Sequence, residues 1–150
     1  MRPGVDVITI GVQNLERSLA FYRDGLGLKT PGIVGTEWEE DETNAAGAVV
    51  MFELDGGLIL ALYPRGQLAK DAAIPAPPTG SGSFSIGHIV GSRSAVDELL
   101  EQARSAGATV PEPARERPWG IYSGYFRDPD GHLWEVIWNP SSSASPADNG

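Results

Sequence analysis

Asp55-Gly56-Gly57-Leu58-Ile59-Leu60-Ala61-Leu62-Tyr63-Pro64 recurs downstream as Asp130-Gly131-His132-Leu133-Trp134-Glu135-Val136-Ile137-Trp138-Asn139-Pro140. The chain is therefore read as one structural unit written twice, and self-similarity decides which residues are compared with which. Aligned on the Asp-Gly pair, Glu135 falls opposite Leu60. The repeat extends upstream. In the first half a strand-like run, Val5 to Val12, leads to Asn14, a candidate N-cap, and then to Leu15-Glu16-Arg17-Ser18-Leu19-Ala20-Phe21-Tyr22, with Leu15, Leu19 and Tyr22 on one helical face. In the second half strand-like Phe84 to Val90 leads to a helix through Val96, Leu99, Leu100 and Ala103, opened by Ser94 with Asp97 as a weak capping box. Gly107 is expected to end that helix, and Gly25 or Gly27 the first.

After each helix come strand candidates: Ala48 to Leu54 and Leu58 to Tyr63, then Gly120 to Arg127 and His132 to Trp138. Asp55-Gly56 and Asp128-Pro129-Asp130-Gly131 are hairpin signals between them. Each half thus reads as strand, helix and two or three antiparallel strands. Pro64 to Ser83, rich in Pro, Ala, Gly and Ser, reads as a linker or long loop, either a simple span or a flap. The tail 141–150 buries nothing and is expected to be disordered.

With 150 residues, 41% of them hydrophobic and 21% charged, the chain is one domain's worth and large enough to bury a core. No apolar run approaches the ~20 residues of a membrane helix, and no leader pattern opens the sequence, so no membrane partner is expected and the cytoplasm is the default. The absence of cysteine excludes disulfides and thiolate metal sites. A formal net charge of −9 argues against a nucleic-acid partner and tolerates neutral or cationic small molecules. The acidic run Glu37, Glu39, Glu40, Asp41 and Glu42 around Trp38 is either a solvated loop or a rim offering Trp38 to a cation. No Gly-rich phosphate loop is present.

Alternation places Leu133, Glu135 and Ile137 on one strand face, so Glu135 sits among apolar neighbours and calls for a partner, a metal or a proton. His88 is its natural partner if adjacent strands bring both to one concave face. Such a pair suits a divalent metal, a bare acid–base pair or a hydrogen bond that locks the core. Trp38, Trp119, Tyr122 and Tyr125 are candidate ligand-binding walls or packing residues. Arg117, before a cleft strand, could meet a substrate carboxylate or pair with a neighbouring acid at the surface. His132 is assigned to the surface.

The repeated order, with the helix segment from Asn14 to Tyr22, Gly87-His88-Ile89 and Tyr125-Phe126-Arg127-Asp128-Pro129-Asp130-Gly131-His132-Leu133-Trp134-Glu135, resembles the vicinal oxygen chelate superfamily of glyoxalase I, extradiol dioxygenases and bleomycin-resistance proteins. The resemblance runs from Val5 to Pro140. It implies an α+β fold of two tandem βαβββ modules forming a curved-sheet cleft: a single domain over 1–140, with module one about 5–64, a linker about 64–83 and module two about 84–140. It also implies a homodimer, and in metal-binding relatives a ligand on the first and last strand of each module. His88 and Glu135 match that pattern as metal ligands or catalytic residues, while Val7 and Leu60 stand at the matching places of the first half. Three functions are weighed. The first is a metal-free module binding a small organic ligand, without cofactor. The second is a divalent-metal lyase, isomerase or dioxygenase using zinc, nickel, iron or manganese on His88, Glu135 and a further ligand such as Glu53. The third is a metal-free acid–base enzyme using His88 and Glu135.

Overall fold

The structure, a computed structural model, describes residues 1–75 and 83–141. The chain divides into two compact units, Met1–Thr79 and Gly80–Gly150. The expected tail beyond Ser141 and the segment 76–82 of the expected linker lie outside the described residues.

The first unit runs β1 (Val7–Val12), α1 (Leu15–Leu19) continuing as a wider π turn over Ala20–Gly25, β2 (Ile33–Val34), β3 (Val49–Glu53), β4 (Ile59–Pro64) and α2 (Arg65–Ala72). Its sheet has the order β1-β4-β3-β2, with β1 parallel to β4 and the other pairs antiparallel. The second unit runs β5 (Ile86–Ile89), α3 (Arg93–Ala106), β6 (Arg115–Glu116), β7 (Tyr122–Arg127) and β8 (Leu133–Trp138). Its sheet repeats the pattern, β5-β8-β7-β6. The two βαβββ modules expected from the repeat are present. Among the described residues, no helix is long and apolar enough to cross a membrane.

Each helix covers one face of its own sheet. Asn14 caps α1, its side chain accepting from the Arg17 amide at 2.9 Å. Leu19 and Tyr22 are buried in the same unit as Ile10, Phe52 and Leu60, and the Tyr22 and Phe52 rings lie 6.0 Å apart. In the second unit Val96, Leu100 and Ala103, spaced four and three residues apart, form the buried stripe of α3. Phe126, Trp134 and Val136 are buried in the same unit, and the Phe126 and Trp134 rings stack at 5.9 Å. Full burial of each such side chain contributes about 1.5–3 kcal/mol. Gly107 ends α3 in the left-handed conformation, as expected.

Two local expectations are corrected. The cap of α3 is Ser92, which accepts from the Ala95 amide, and not Ser94, because the chain turns helical two residues sooner. The supposed linker contains α2. Its Ala and Gly content hides a helix that buries Ala69 and lies so close to β1 that a Cβ on Gly11 would meet the Arg65 backbone at 3.3 Å.

Candidate functional site

Strand register decides which side chains share a face, because successive residues alternate. In the second sheet Glu135 pairs with Gly87 on one side and Tyr125 on the other, while His88 pairs with Val136. Val136 is fully buried on the side of α3; a Cβ on Gly87 would meet Ile137, which shares the face of Glu135. His88 and Glu135 therefore point to opposite faces, and the concave pairing anticipated for them does not form. His88 is exposed at the edge strand.

The shift has a definite origin. Leu54 and Asp128 play the same part in the two hairpins: each amide donates to the residue four on, Leu58 or His132, and each carbonyl accepts from the residue three on, Gly57 or Gly131. Gly57 and Gly131 both have positive φ, 92° and 87°. Gly131 thus corresponds to Gly57 and not to Gly56, so Glu135 stands opposite Ala61 and not Leu60. Counting back from the caps agrees: Thr9 precedes Asn14 by five residues and Gly87 precedes Ser92 by five. His88 accordingly matches the buried Ile10, not Val7.

The open face of the second sheet carries a connected polar group. Arg117 Nε donates to Ser123 Oγ at 3.0 Å and its Nη2 to the Ser123 carbonyl at 3.3 Å. Ser123 Oγ donates in turn to Glu135 Oε2 at 2.8 Å, and Tyr125 stands directly across from Glu135 in the strand register. The Arg117 guanidinium lies 5.4 Å from the Tyr125 ring centroid. Burial, and then the nearby Glu135 carboxylate, hold the Tyr125 phenol above its ordinary pKa, against a smaller opposing effect of Arg117. A cavity of about 520 Å³ opens beside Arg117, Tyr125 and Leu133.

The other sequence candidates lie elsewhere. The Tyr122 hydroxyl donates to Asp97 on α3 at 2.7 Å, which raises its pKa, and Arg93 lies 5.0 Å from its ring centroid, so Tyr122 sits on the helix side of the sheet. Trp119 is 89% exposed on a turn at φ 71°, and Trp38 belongs to a loop of the first unit. Glu53, also in the first unit, lines a separate cavity with Lys29 and Met51. Ser123 was not singled out from the sequence, although alternation from Tyr125 puts it on the same face. His132 is not a surface residue. Its Nδ1 lies 2.8 Å from Asp128 Oδ2, and Asp128 Oδ1 accepts the amides of Asp130 and His132, which fixes the hairpin.

A divalent ion held jointly by His88 and Glu135 does not fit this register. Among the described residues, no three His, Asp or Glu side chains come together as ligands.

The duplicated sheets have close counterparts among solved structures. A glyoxalase-related enzyme from Fulvimarina pelagi is 30% identical, matching 99% of this chain and 96% of its own at a TM-score of 0.79. A glyoxalase/bleomycin resistance protein/dioxygenase from Nocardioides, 24% identical, matches 100% of this chain and 91% of its own at 0.69. A lactoylglutathione lyase from Agrobacterium tumefaciens, 23% identical, matches 97% and 100% at 0.63. These last two likenesses concern the fold. A search of curated proteins found no match. The family model of the glyoxalase/bleomycin resistance protein/dioxygenase superfamily matches residues 4–136, the stretch that holds both modules and the Glu135 cluster. The chain belongs to that superfamily.

Proposed function

We propose that the chain binds a small organic molecule directly on the side chains of its second module, with no metal between ligand and protein. The observation that carries this reading is the Glu135 carboxylate, which is engaged by Ser123 and turned away from His88. A carboxylate that accepts from an internal donor is held in a fixed orientation. Tyr125, Arg117 and Leu133 supply the wall, an apolar surface with a few directed polar groups. A homodimer in the cytoplasm is the setting inferred for it.

A catalytic second reading rests on the Tyr125 phenol across from the Glu135 carboxylate, a pair through which a proton could pass to or from a ligand. It replaces the His88–Glu135 pair as the acid–base arrangement.

Elemental analysis tests the metal-free claim on untagged protein purified without chelator. Less than a tenth of an equivalent of transition metal per chain is expected, roughly the background of adventitious binding. About one equivalent, lost in a His88→Ala/Glu135→Ala variant, overturns the reading. A ligand-observed NMR screen follows, in which hits are expected to weaken in Tyr125→Ala.

A further inference from the structure

The cavity of the second module presents an arginine that the net charge of the chain does not suggest. The protein as a whole has a formal charge of −9, yet this cavity is lined by Arg117 and Arg127 as well as Glu112, with Glu135 joined to Arg117 through Ser123. At contact the near charges dominate, since the field of distant surface carboxylates is screened within roughly 8–10 Å at physiological salt.

Arg117 differs from the ion-paired cations of the molecule. Arg23, Arg93, Arg104 and Lys70 each hold a carboxylate at 2.5–3.2 Å. Arg117 instead spends two N–H groups on the neutral oxygens of Ser123 and rests against the Tyr125 ring. No carboxylate among the described residues forms an ion pair with it. The Ser123 contacts fix the inner edge of the guanidinium. The outer edge, with both Nη1 hydrogens and one on Nη2, keeps the fork geometry that matches a carboxylate bidentately. Arg127 lines the same cavity with its Nη1 committed to the Gly131 carbonyl at 2.7 Å.

We infer that the ligand of this site is a small carboxylic acid with an apolar body, its carboxylate received by the outer edge of Arg117 and its body lying against Leu133, Phe84 and Pro111. The inference rests on the ligand-binding reading above and adds the sign of the ligand's charge. A volume of about 520 Å³ admits a molecule of one or two rings or a medium aliphatic chain. A cationic guest, tolerated by the overall charge, would have to sit beside the Arg117 guanidinium here.

The test is a matched panel: phenylacetate, 3-phenylpropionate, indole-3-acetate and hexanoate, each with its primary amide and the amine of the same skeleton. Saturation-transfer NMR and then calorimetry on the full chain give affinities. Carboxylates are expected to bind at least about tenfold tighter than their amides and amines, as for a charge-assisted hydrogen-bond pair. Arg117→Gln is expected to remove that preference, and Arg117→Lys to retain part of it. The amide spectra of both variants serve as the check on folding. Amides or amines binding as tightly as the acids overturns the inference and leaves the ligand-binding reading standing. Acids that bind equally well to wild type and to folded Arg117→Gln place the anion elsewhere and likewise overturn it. If nothing in the three sets binds at several millimolar, the inference fails and the binding reading loses its support with it.

Discussion

The open faces of the two sheets are the same backbone with different chemistry. In the first module Thr9, Ala61 and Met51 stand side by side across β1, β4 and β3; in the second Gly87, Glu135 and Tyr125 hold the equivalent places across β5, β8 and β7. Behind these rows the buried positions correspond pair by pair, Phe52 with Phe126, Leu60 with Trp134 and Leu62 with Val136. The core side of the frame is kept apolar in both copies, because each sheet must bury that side under a helix. The open side carries no such requirement, so one copy can be bland there while the other assembles a linked Arg-Ser-Glu-Tyr group.

The strongest test of this equivalence lies in the core. Phe52→Ala and Phe126→Ala are expected to cost about 3–5 kcal/mol each in urea unfolding, as for a buried ring removed without collapse of the site. A cost below about 1 kcal/mol at either position would break the correspondence.

Gly124→Ala sharpens the comparison where the modules differ. Its counterpart Val50 carries a branched side chain, whereas a Cβ on Gly124 would lie 2.5 Å from Leu100 Cδ1 and 3.1 Å from the Ala114 Cα. A destabilisation of about 1–3 kcal/mol is expected in thermal melts. An unchanged melting temperature would mean that Leu100 and the Ala114 segment yield.

Asp128→Ala removes the acceptor that gathers the Asp130 and His132 amides and the His132 ring, a role that Leu54 does not have in the first hairpin. A loss of about 1–3 kcal/mol is expected, with hydrogen exchange rising at those amides. Exchange left unchanged would assign the turn's rigidity to its backbone alone.

The smallest effect is electrostatic. Tyr125 and Tyr122 in the second module, and Tyr63 in the first, all have pKa values raised above 10.0, Tyr125 and Tyr63 mainly by burial and Tyr122 mainly by its hydrogen bond to Asp97. A raised value favours the protonated phenol in the folded state. The associated stability is therefore complete below the ordinary tyrosine range and is lost as pH rises through the raised values. In Glu135→Gln the Tyr125 pKa should fall but stay above that of free tyrosine, because burial remains. Absorbance titration at alkaline pH, against a Tyr125→Phe reference, reads the shift. No change would mean that Glu135 does not bear on the phenol.

The repeat, the positions of the longer strands, the Asn14 cap and the Gly107 stop were legible in the sequence because each depends on local periodicity or on one residue's backbone preference, whereas the two-residue strands β2 and β6 were too short to leave a period. The face of His88 was not. Parity carried across a hairpin depends on which glycine takes the left-handed position, and Asp55-Gly56-Gly57 offers two in a row, both with positive φ. Choosing Gly56 shifts the alignment by one residue, and one residue turns a side chain to the other face. The face that Glu135 shares with Leu133 and Ile137 was readable because all three lie within one regular strand. Ser123 was readable by the same alternation but lacks the chemistry that attracts notice in a sequence. The helix α2 was hidden by composition: Ala and Gly suggest a linker until a surface is present to cover.

Since Gly57 and Gly131 close hairpins of equal length, the two copies differ at their open faces by substitution alone, without any insertion between the paired strands. Ala61 and Met51 are then an internal blank for Glu135 and Tyr125: the same scaffold, in the same tube, without those two side chains. Writing them back as Ala61→Glu with Met51→Tyr asks how much of a site can be transplanted by two side chains when the register has already been set.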